Sequence, residues 1–345
     1  MRVDLGAAPI ERITALYVGR LGDVIVATPF LRALRRRFPR ARIRLVVGRR
    51  AAELLPLIPF VDEGYVLGRP AELLAHARLA KAVLGGGRSD LLVDLNSAFS
   101  KTSTLLARAC RARVRLSFDK TRGPEVFNRV IPAPANDEHM SERFARLTEA
   151  IGAAGGPDLE LRVPEADQNE ADRLLSALGP AGDPESELRV LVHPGNLTRR
   201  PSLWPLDRLT ELCARLQRDP SVRLTFLAGP GEREAVSSVA SALPRPAPLL
   251  PLARLGVVGG AVRRMDLLLG SLTSTTHLAA ALGTPTFAFY EGYTHAVWRP
   301  RGARHGGTLS RDWDNVQSTT VDEAWAALSE HLARLRPLGR AKGAA

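Results

Sequence analysis

The sequence predicts an α/β protein made of two doubly wound parallel sheets. Short apolar strands alternate with amphipathic helices, and a stretch rich in proline, glycine and acidic residues interrupts this alternation between residues 152 and 188. The same alternation then restarts. The chain has 345 residues, 45% of them hydrophobic, which is enough for about two domains, each with its own core.

The first half predicts five strands and five helices. The strands are Ile13–Val18, Arg42–Val47, Glu63–Leu67, Leu91–Leu95 and Arg113–Leu116. The helices are Val24–Phe38, Ala51–Leu57, Pro70–Leu84, Ser97–Arg111 and Glu138–Ile151. Pro29 predicts an irregular first turn in the first of these helices.

The second half repeats the pattern after a linker that contains one helix, Glu165–Leu178. Strands are predicted at Arg189–Val192, Arg223–Leu227, Asp266–Leu269 and Thr286–Tyr290. Helices are predicted at Leu206–Gln217, Arg233–Leu243, His277–Leu282 and Asp322–Arg334. We therefore expect domains over 1–164 and 189–320, with 165–188 as helix and linker and 321–345 as a final helix and basic tail. A ligand is expected in the cleft between the domains.

A turn crowded with hydroxyl groups, Gly270–Thr276, joins two apolar strands through a short helix. Gly283 and Pro285 end that helix. Small hydroxyl residues cap the free N–H groups of a helix start, and the same N–H groups attract phosphate. An ordinary capped helix is the alternative.

Composition narrows the class of protein. No apolar run approaches the length of a membrane span, and the N-terminus lacks the apolar stretch of a signal peptide, so we expect a cytoplasmic protein. Cys110 and Cys213 are far apart in predicted helices and are expected to be reduced. Nucleic acid is not an expected partner, because zinc-finger, RNP-like and KH-type motifs are lacking.

Positive charge is concentrated in the first half. Residues 1–164 carry 27 Lys/Arg and 17 Asp/Glu, a balance of +10, whereas the remainder carries 21 and 19, a balance of +2. Coding bias toward arginine is one explanation. The other is an anionic partner such as an acidic glycolipid or a membrane surface.

Two aspartate motifs suggest chemistry. Asp23 follows the first strand in Gly19-Arg20-Leu21-Gly22-Asp23, where open α/β sheets bind ligands, although a helix N-cap is an equal alternative. Asp312-Trp313-Asp314 spells the D-x-D of some metal sites, but it follows the core in a loop, so a surface role is favoured.

Four blocks in this order resemble glycosyltransferase family 9, the bacterial heptosyltransferases, over residues 10–335. They are RLGDVIVATPFLRALRRRFP (Arg20–Pro39), EHMSERFARLTEAIG (Glu138–Gly152), LVHPGNLTRRPSLWP (Leu191–Pro205) and SLTSTTHLAAALGTPTFAFY (Ser271–Tyr290). The resemblance implies the GT-B fold, in which two Rossmann-like domains face a cleft. It also implies a nucleotide-sugar donor in the second domain and a glycan or anionic glycolipid acceptor in the first.

The resemblance implies an inverting transfer of a heptose or related sugar in lipopolysaccharide or cell-envelope synthesis, without a metal or other cofactor. Asp23 would be the general base, because an acceptor hydroxyl must lose its proton. His277 is expected to be a neutral donor to phosphate or to hold the loop, and helix–sheet packing is its alternative. The predicted acceptor contacts are Arg20, Asn96 and Lys101. The predicted donor contacts are Thr198, Arg199, Arg200, Glu232, Thr273, Ser274, Thr275, Thr276 and His277.

Two positions depart from the family pattern. The family's aspartate that contacts the donor sugar is Leu272 here, and a lysine near the donor phosphates is Ser202. Arg199 or Arg200 can supply the missing charge. These departures leave the donor sugar and nucleotide open. They also keep two alternatives: a GT-B scaffold without catalysis that binds a glycan or partner, and a sugar-nucleotide-modifying enzyme of the same fold.

Overall fold

The computed structural model describes residues 2–68, 88–120, 124–179, 187–197 and 203–336. The chain divides into two compact units, Met1–Leu161 and Arg162–Ala345. Each unit contains a parallel β-sheet connected by helices. This architecture confirms the predicted α/β class with two doubly wound sheets.

The described part of the first unit has a six-stranded parallel sheet in the order β3-β2-β1-β4-β5-β6. Its strands are β1 Arg12–Tyr17, β2 Arg42–Gly48, β3 Glu63–Leu67, β4 Leu91–Asp94, β5 Val114–Phe118 and β6 Arg129–Ile131. Central β1 pairs with both β2 and β4, so Ile13 lies beside Ile43 and Leu91. These strands are almost continuously apolar because both faces of a doubly wound sheet are covered. The three-residue edge strand β6 was not predicted.

Helices of the first unit differ from the prediction mainly at their ends. They are α1 Leu21–Val26, α2 Thr28–Arg37, α3 Lys101–Ala109 and α4 Met140–Ala150, with a 3-10 helix at Arg49–Leu57. The single helix predicted over Val24–Phe38 is two helices that meet at Ala27, and Pro29 is in the first turn of the second. Proline is tolerated there because the first-turn N–H groups have no partner within the helix. The helix predicted at Pro70–Leu84 lies outside the described residues.

The described part of the second unit has a five-stranded parallel sheet in the order β11-β10-β9-β7-β8. Its strands are β7 Leu188–His193, β8 Val222–Phe226, β9 Leu267–Ser271, β10 Thr286–Tyr290 and β11 His305–Leu309. Strand β11 was not predicted, because its sequence HGGTL has neither an apolar run nor an alternating pattern.

Helices of the second unit cover both faces of its sheet. They are α5 Glu165–Ala177, α6 Leu206–Leu216, α7 Arg233–Ser241, α8 Leu255–Arg263, α9 Ser274–Ala281, α10 Gly292–Trp298 and α11 Val321–Leu335. One core cluster joins Val190 and Leu269 with residues of α6, α7 and α11. The other joins Leu191 and Leu268 with residues of α5, α8 and α9. Neighbouring sheet residues thus face opposite cores, as strand geometry requires.

Helix α8 was missed because its sequence LGVVGGAVR contains three glycines, which disfavour helix formation. The structure shows why they occur there. A Cβ at Gly260 would lie 2.7 Å from Cβ of Ala171 in α5, and one at Gly256 would overlap the Asp167 carboxylate. The glycines let the two helices approach closely, and this packing outweighs the intrinsic propensity.

Both cysteines, Cys110 and Cys213, are buried free thiols, as expected. Within the described ranges, no helix combines the length and the apolar character needed to cross a bilayer.

Candidate active-site residues and donor loops

Asp23 lies just beyond the carboxyl end of the central strand β1. It is the third residue of α1, and Arg20 is the N-cap, so the N-cap alternative for Asp23 is wrong. The carboxylate instead accepts the Arg20 backbone N–H through Oδ2 at 2.6 Å. A Cβ at Gly19 would lie 2.7 Å from this oxygen. The glycine before Arg20 therefore leaves room for the carboxylate to fold back over the helix start.

Partial burial raises the pKa of the Asp23 carboxyl, and the hydrogen bond and positive charge of Arg20 oppose that rise. A raised pKa makes a carboxylate a stronger base. Burial also raises the pKa of the neighbouring Tyr17 hydroxyl, with the charges of Asp23 and Asp94 adding to the rise and that of Arg143 opposing it. Three charged side chains therefore act on one buried hydroxyl at this edge of the sheet.

A buried ion pair that the sequence analysis missed stands at the ends of β4 and β5. Nζ of Lys120 lies 2.6 Å from Oδ2 of Asp94, and the side chains are 1% and 0% exposed. The second oxygen, Oδ1, accepts the Asn96 side-chain amide at 2.6 Å and its backbone N–H at 3.1 Å. Asp94 thereby fixes Asn96, whose predicted contact with the acceptor stays a prediction. The partners are 26 residues apart, and neither belongs to a motif.

The other predicted acceptor residues also lie at this edge. Arg20 is exposed at the start of α1, and Lys101 is exposed as the first residue of α3, where the Ser100 hydroxyl accepts the Ser103 N–H. Arg143 in α4 donates to backbone carbonyls of Ala135 and Asn136. The edge thus combines one carboxylate of raised pKa with several cations.

The hydroxyl-rich turn in the second unit is a capped helix start. Helix α9 begins at Ser274, three residues earlier than predicted, because Thr273 is its N-cap. The Thr273 hydroxyl accepts the Thr275 N–H at 3.2 Å, and the Thr276 hydroxyl donates to the Ser271 carbonyl at 3.0 Å. Thr276 is 2% exposed, so its hydroxyl serves the turn, whereas Thr273, Ser274 and Thr275 are partly exposed.

Loops that follow β7, β8 and β9 lie against one another. Glu232 is 5% exposed, and its two carboxylate oxygens accept the N–H groups of Leu197 at 2.6 Å and Gly229 at 3.0 Å. A Cβ at Gly195 would lie 2.9 Å from Cβ of Ser271. Glu232 therefore holds the loop after β7, and a direct contact of Glu232 with a donor remains a prediction. Burial lowers the pKa of the adjacent His193, whose Nδ1 lies 3.0 Å from the Leu227 carbonyl.

His277 and Leu272 lie behind this helix start. The ring of His277 is 5% exposed and tilted against Trp298, with 6.3 Å between ring centroids. Leu272 occupies the slot of the family's sugar-contacting aspartate and packs in a buried apolar cluster with Ala288 and Tyr290, against which Trp298 also packs. A carboxylate at position 272 would be costly there unless a charged or hydrogen-bonding partner accompanied it, because burial removes it from water.

Three predicted donor residues, Thr198, Arg199 and Arg200, lie outside the described residues, as does Ser202. Leu197, the last described residue before these positions, donates its backbone N–H to Glu232. Within the same described ranges, no three His, Cys, Asp or Glu side chains are grouped closely enough to hold a metal ion.

Comparison with known proteins gives a consistent picture. The family model "Glycosyltransferase family 9 (heptosyltransferase)" matches residues 76–324. The lipopolysaccharide core heptosyltransferase OpsX of Haemophilus influenzae is 22% identical over 291 residues, which are 81% of this chain and 79% of OpsX.

Solved structures agree on the fold. The family 9 glycosyl transferase of Veillonella parvula has a TM-score of 0.81 and 19% identity, with 94% of this chain and 97% of that one covered. E. coli heptosyltransferase II has a TM-score of 0.76 and 18% identity, with 94% and 99% covered. E. coli WaaC with ADP-2-deoxy-2-fluoro heptose has a TM-score of 0.69 and 19% identity, with 92% and 99% covered.

These matches confirm both the family resemblance drawn from the four sequence blocks and the GT-B fold it implies. The family model spans most of the chain, including the linker, the loops after β7 and β9, and the helix start at Ser274. The chain therefore belongs to glycosyltransferase family 9, the heptosyltransferase family.

Proposed function

We propose that this glycosyltransferase moves a heptose or related sugar from a nucleoside diphosphate to a hydroxyl group of a glycan or glycolipid, with inversion. The observation that carries the proposal is the carboxylate of Asp23, which is held at the carboxyl edge of β1 by the Arg20 N–H and has a raised pKa. OpsX is named a lipopolysaccharide core heptosyltransferase, which supports an acceptor in lipopolysaccharide core synthesis.

In the reaction that we propose, Asp23 takes the proton of the acceptor hydroxyl as its oxygen attacks the anomeric carbon. The new C–O bond forms as the bond from that carbon to the diphosphate breaks, so the configuration inverts. The departing diphosphate gains negative charge, which N–H and hydroxyl groups at the start of α9 stabilise. The proposal assigns this task to hydrogen-bond donors and arginines rather than to a metal ion.

The acceptor is proposed to be anionic. Arg20, Arg49 and Arg50 are exposed and follow the ends of β1 and β2, on the same edge as Asp23. Their charges favour acidic groups of a core glycolipid and a peripheral position at the inner face of the cytoplasmic membrane. Because Arg49 and Arg50 follow a strand end, they can meet the acceptor without disturbing the core.

Replacing Asp23 with asparagine tests the proposal. The amide keeps the shape of the side chain but cannot take a proton, so kcat should fall by roughly 10²–10⁴ while donor affinity stays unchanged. Asp158→Asn is the control, because Asp158 is an exposed aspartate of the same unit. Near-normal turnover of Asp23→Asn would show that another group is the base.

Donor identity is tested by titration calorimetry with ADP, UDP and GDP and with their sugar derivatives, in buffer containing EDTA. Binding of at least one nucleoside diphosphate is expected. Binding that appears only after Mg²⁺ or Mn²⁺ is added would contradict the metal-independent site. A chain that binds donor but transfers no sugar to any acceptor would instead be a binding scaffold.

A further inference from the structure

Two aromatic side chains project into solvent at the carboxyl edge of the second sheet, and the proposed reaction does not use them. Trp313 is 60% exposed and follows β11, while Tyr293 is 41% exposed and follows β10. Both strands run parallel to β9, whose carboxyl end leads to the proposed diphosphate site at Ser274. An exposed apolar patch, rather than a single exposed ring, is the feature that marks a binding surface, and these two rings lie at the same sheet edge.

The loop that carries Trp313 is held in place. Its backbone accepts two hydrogen bonds from the start of α10, from Gly292 N–H to the Asp312 carbonyl at 3.3 Å and from Tyr293 N–H to the Trp313 carbonyl at 3.1 Å. The Ser318 hydroxyl accepts the Arg311 N–H at 2.9 Å. A surface fixed in this way loses little conformational entropy when a ligand binds.

Glycine at position 292 sets the position of the indole ring. A Cβ at Gly292 would overlap the six-membered ring of Trp313, so the ring lies directly on the Gly292 backbone. One face of the indole is therefore covered by the backbone, and more than half of the side chain stays in solvent. The exposed part is available for a second flat, apolar surface.

An aspartate precedes Trp313 in the chain and another follows it. Asp314 is exposed and Asp312 is partly exposed. Neither carboxylate has a hydrogen bond or ion pair within the described ranges, whereas neighbouring Arg311 is paired with Glu323 at 2.7 Å. Ionised carboxylates only accept hydrogen bonds, and they repel phosphate. The site therefore disfavours an anionic group and suits a ligand that has hydroxyl donors and an apolar face.

A sugar ring has these properties, and we infer that Asp312, Trp313, Asp314 and Tyr293 form a platform for the sugar of the nucleotide-sugar donor. The electron-rich face of the indole attracts the C–H groups on one side of the ring. The aspartates accept hydrogen bonds from hydroxyl groups at its rim. The inference rests on the proposed function, and it favours the donor sugar because the platform and the diphosphate site share one sheet edge.

The test compares the affinity for a nucleotide sugar with the affinity for the same free nucleotide, by titration calorimetry. ADP-glucose, ADP-mannose, ADP-heptose, UDP-glucose and GDP-mannose are titrated, and the sugar that binds most tightly relative to its nucleotide is chosen. The measured quantity is the ratio of the nucleotide-sugar affinity to the free-nucleotide affinity. Trp313→Ala should reduce this ratio about tenfold and leave the free-nucleotide affinity unchanged. Trp313→Phe should keep most of the ratio, and Asp314→Asn should reduce it severalfold.

Leu309→Ala is the matched control, because Leu309 is 54% exposed at the end of the same strand and is not aromatic. Its ratio should equal that of the wild type. Equal losses for nucleotide and nucleotide sugar in Trp313→Ala would overturn the inference, and so would an unchanged ratio or a wild type with no sugar preference. A variant that changes only the KM of the acceptor would assign the platform to the acceptor and also overturn it. Failure of the wild type to bind any nucleotide would instead contradict the proposed donor site.

Discussion

Breaking the buried pair of Asp94 and Lys120 should strongly destabilise the first unit. In Lys120→Met, Oδ2 of Asp94 loses its charged partner while the carboxylate remains 0% exposed. Removing one member of a buried pair costs about 3–5 kcal/mol, because the remaining charge is neither hydrated nor paired. Methionine still packs on Phe127, over whose ring the Lys120 ammonium lies at 5.0 Å, so the loss reports mainly on charge.

This loss lowers the midpoint of thermal unfolding by about 6–20 °C, since 1 kcal/mol corresponds to about 2–4 °C in a domain of this size. Differential scanning calorimetry measures the midpoint, and urea unfolding measures the free energy. The control is Arg334→Met, which removes an exposed pair with Glu330 whose side chains are 57% and 69% exposed. That variant should lose less than about 1 kcal/mol.

A double variant, Asp94→Asn with Lys120→Met, separates the charge effect from lost packing. The asparagine oxygen can still accept from Asn96, and no unpaired charge remains. We expect it to be more stable than Lys120→Met and to retain its acceptor KM better. The pair is not coupled as its geometry requires if the unfolding free energy of Lys120→Met lies within about 1 kcal/mol of that of the wild type. The same conclusion follows if the losses of Lys120→Met and of Asp94→Asn, each measured alone, add up to the loss of the double variant.

Three further outcomes are expected. Thr275→Glu places negative charge at the start of α9, so it should abolish nucleotide binding in calorimetry with little change in the midpoint of thermal unfolding. The uncharged control Thr275→Gln should still bind nucleotide. Equal binding by both variants would show that the diphosphate site lies elsewhere. Burial and the nearby His331 and Arg304 lower the pKa of His305 from 6.5 to about 4. The unfolded chain therefore protonates His305 at a higher pH than the folded chain does. The folded state keeps its full stability above pH 6.5 and loses about 3 kcal/mol as the pH falls from 6.5 to about 4. The free energy of urea unfolding should fall less steeply with decreasing pH in His305→Gln than in the wild type. Identical pH dependence of the two proteins would contradict the lowered pKa of His305. The charge balance of +10 in residues 1–164 predicts that the protein sediments with anionic but not with neutral liposomes, and that salt weakens this binding. Equal binding to both kinds of liposome would favour coding bias as the explanation of the charge.

The sequence by itself determined the order of most strands and helices and the family. Apolar runs and helical periodicity are local properties, so they survive in a single sequence. Gly283 has a φ of 80°, which explains why glycine ends α9 and why its position could be read from the chain. The break near Pro29 follows equally from the chemistry of one residue.

Only the tertiary structure decided the contacts between distant residues. Lys120 meets Asp94, Glu232 holds Leu197 from 35 residues away, and Trp313 lies on Gly292. Helix α8 forms despite its glycines because α5 packs against it. Such pairings depend on the order of the strands in each parallel sheet, because that order decides which strand ends lie side by side. A local sequence pattern does not contain the strand order.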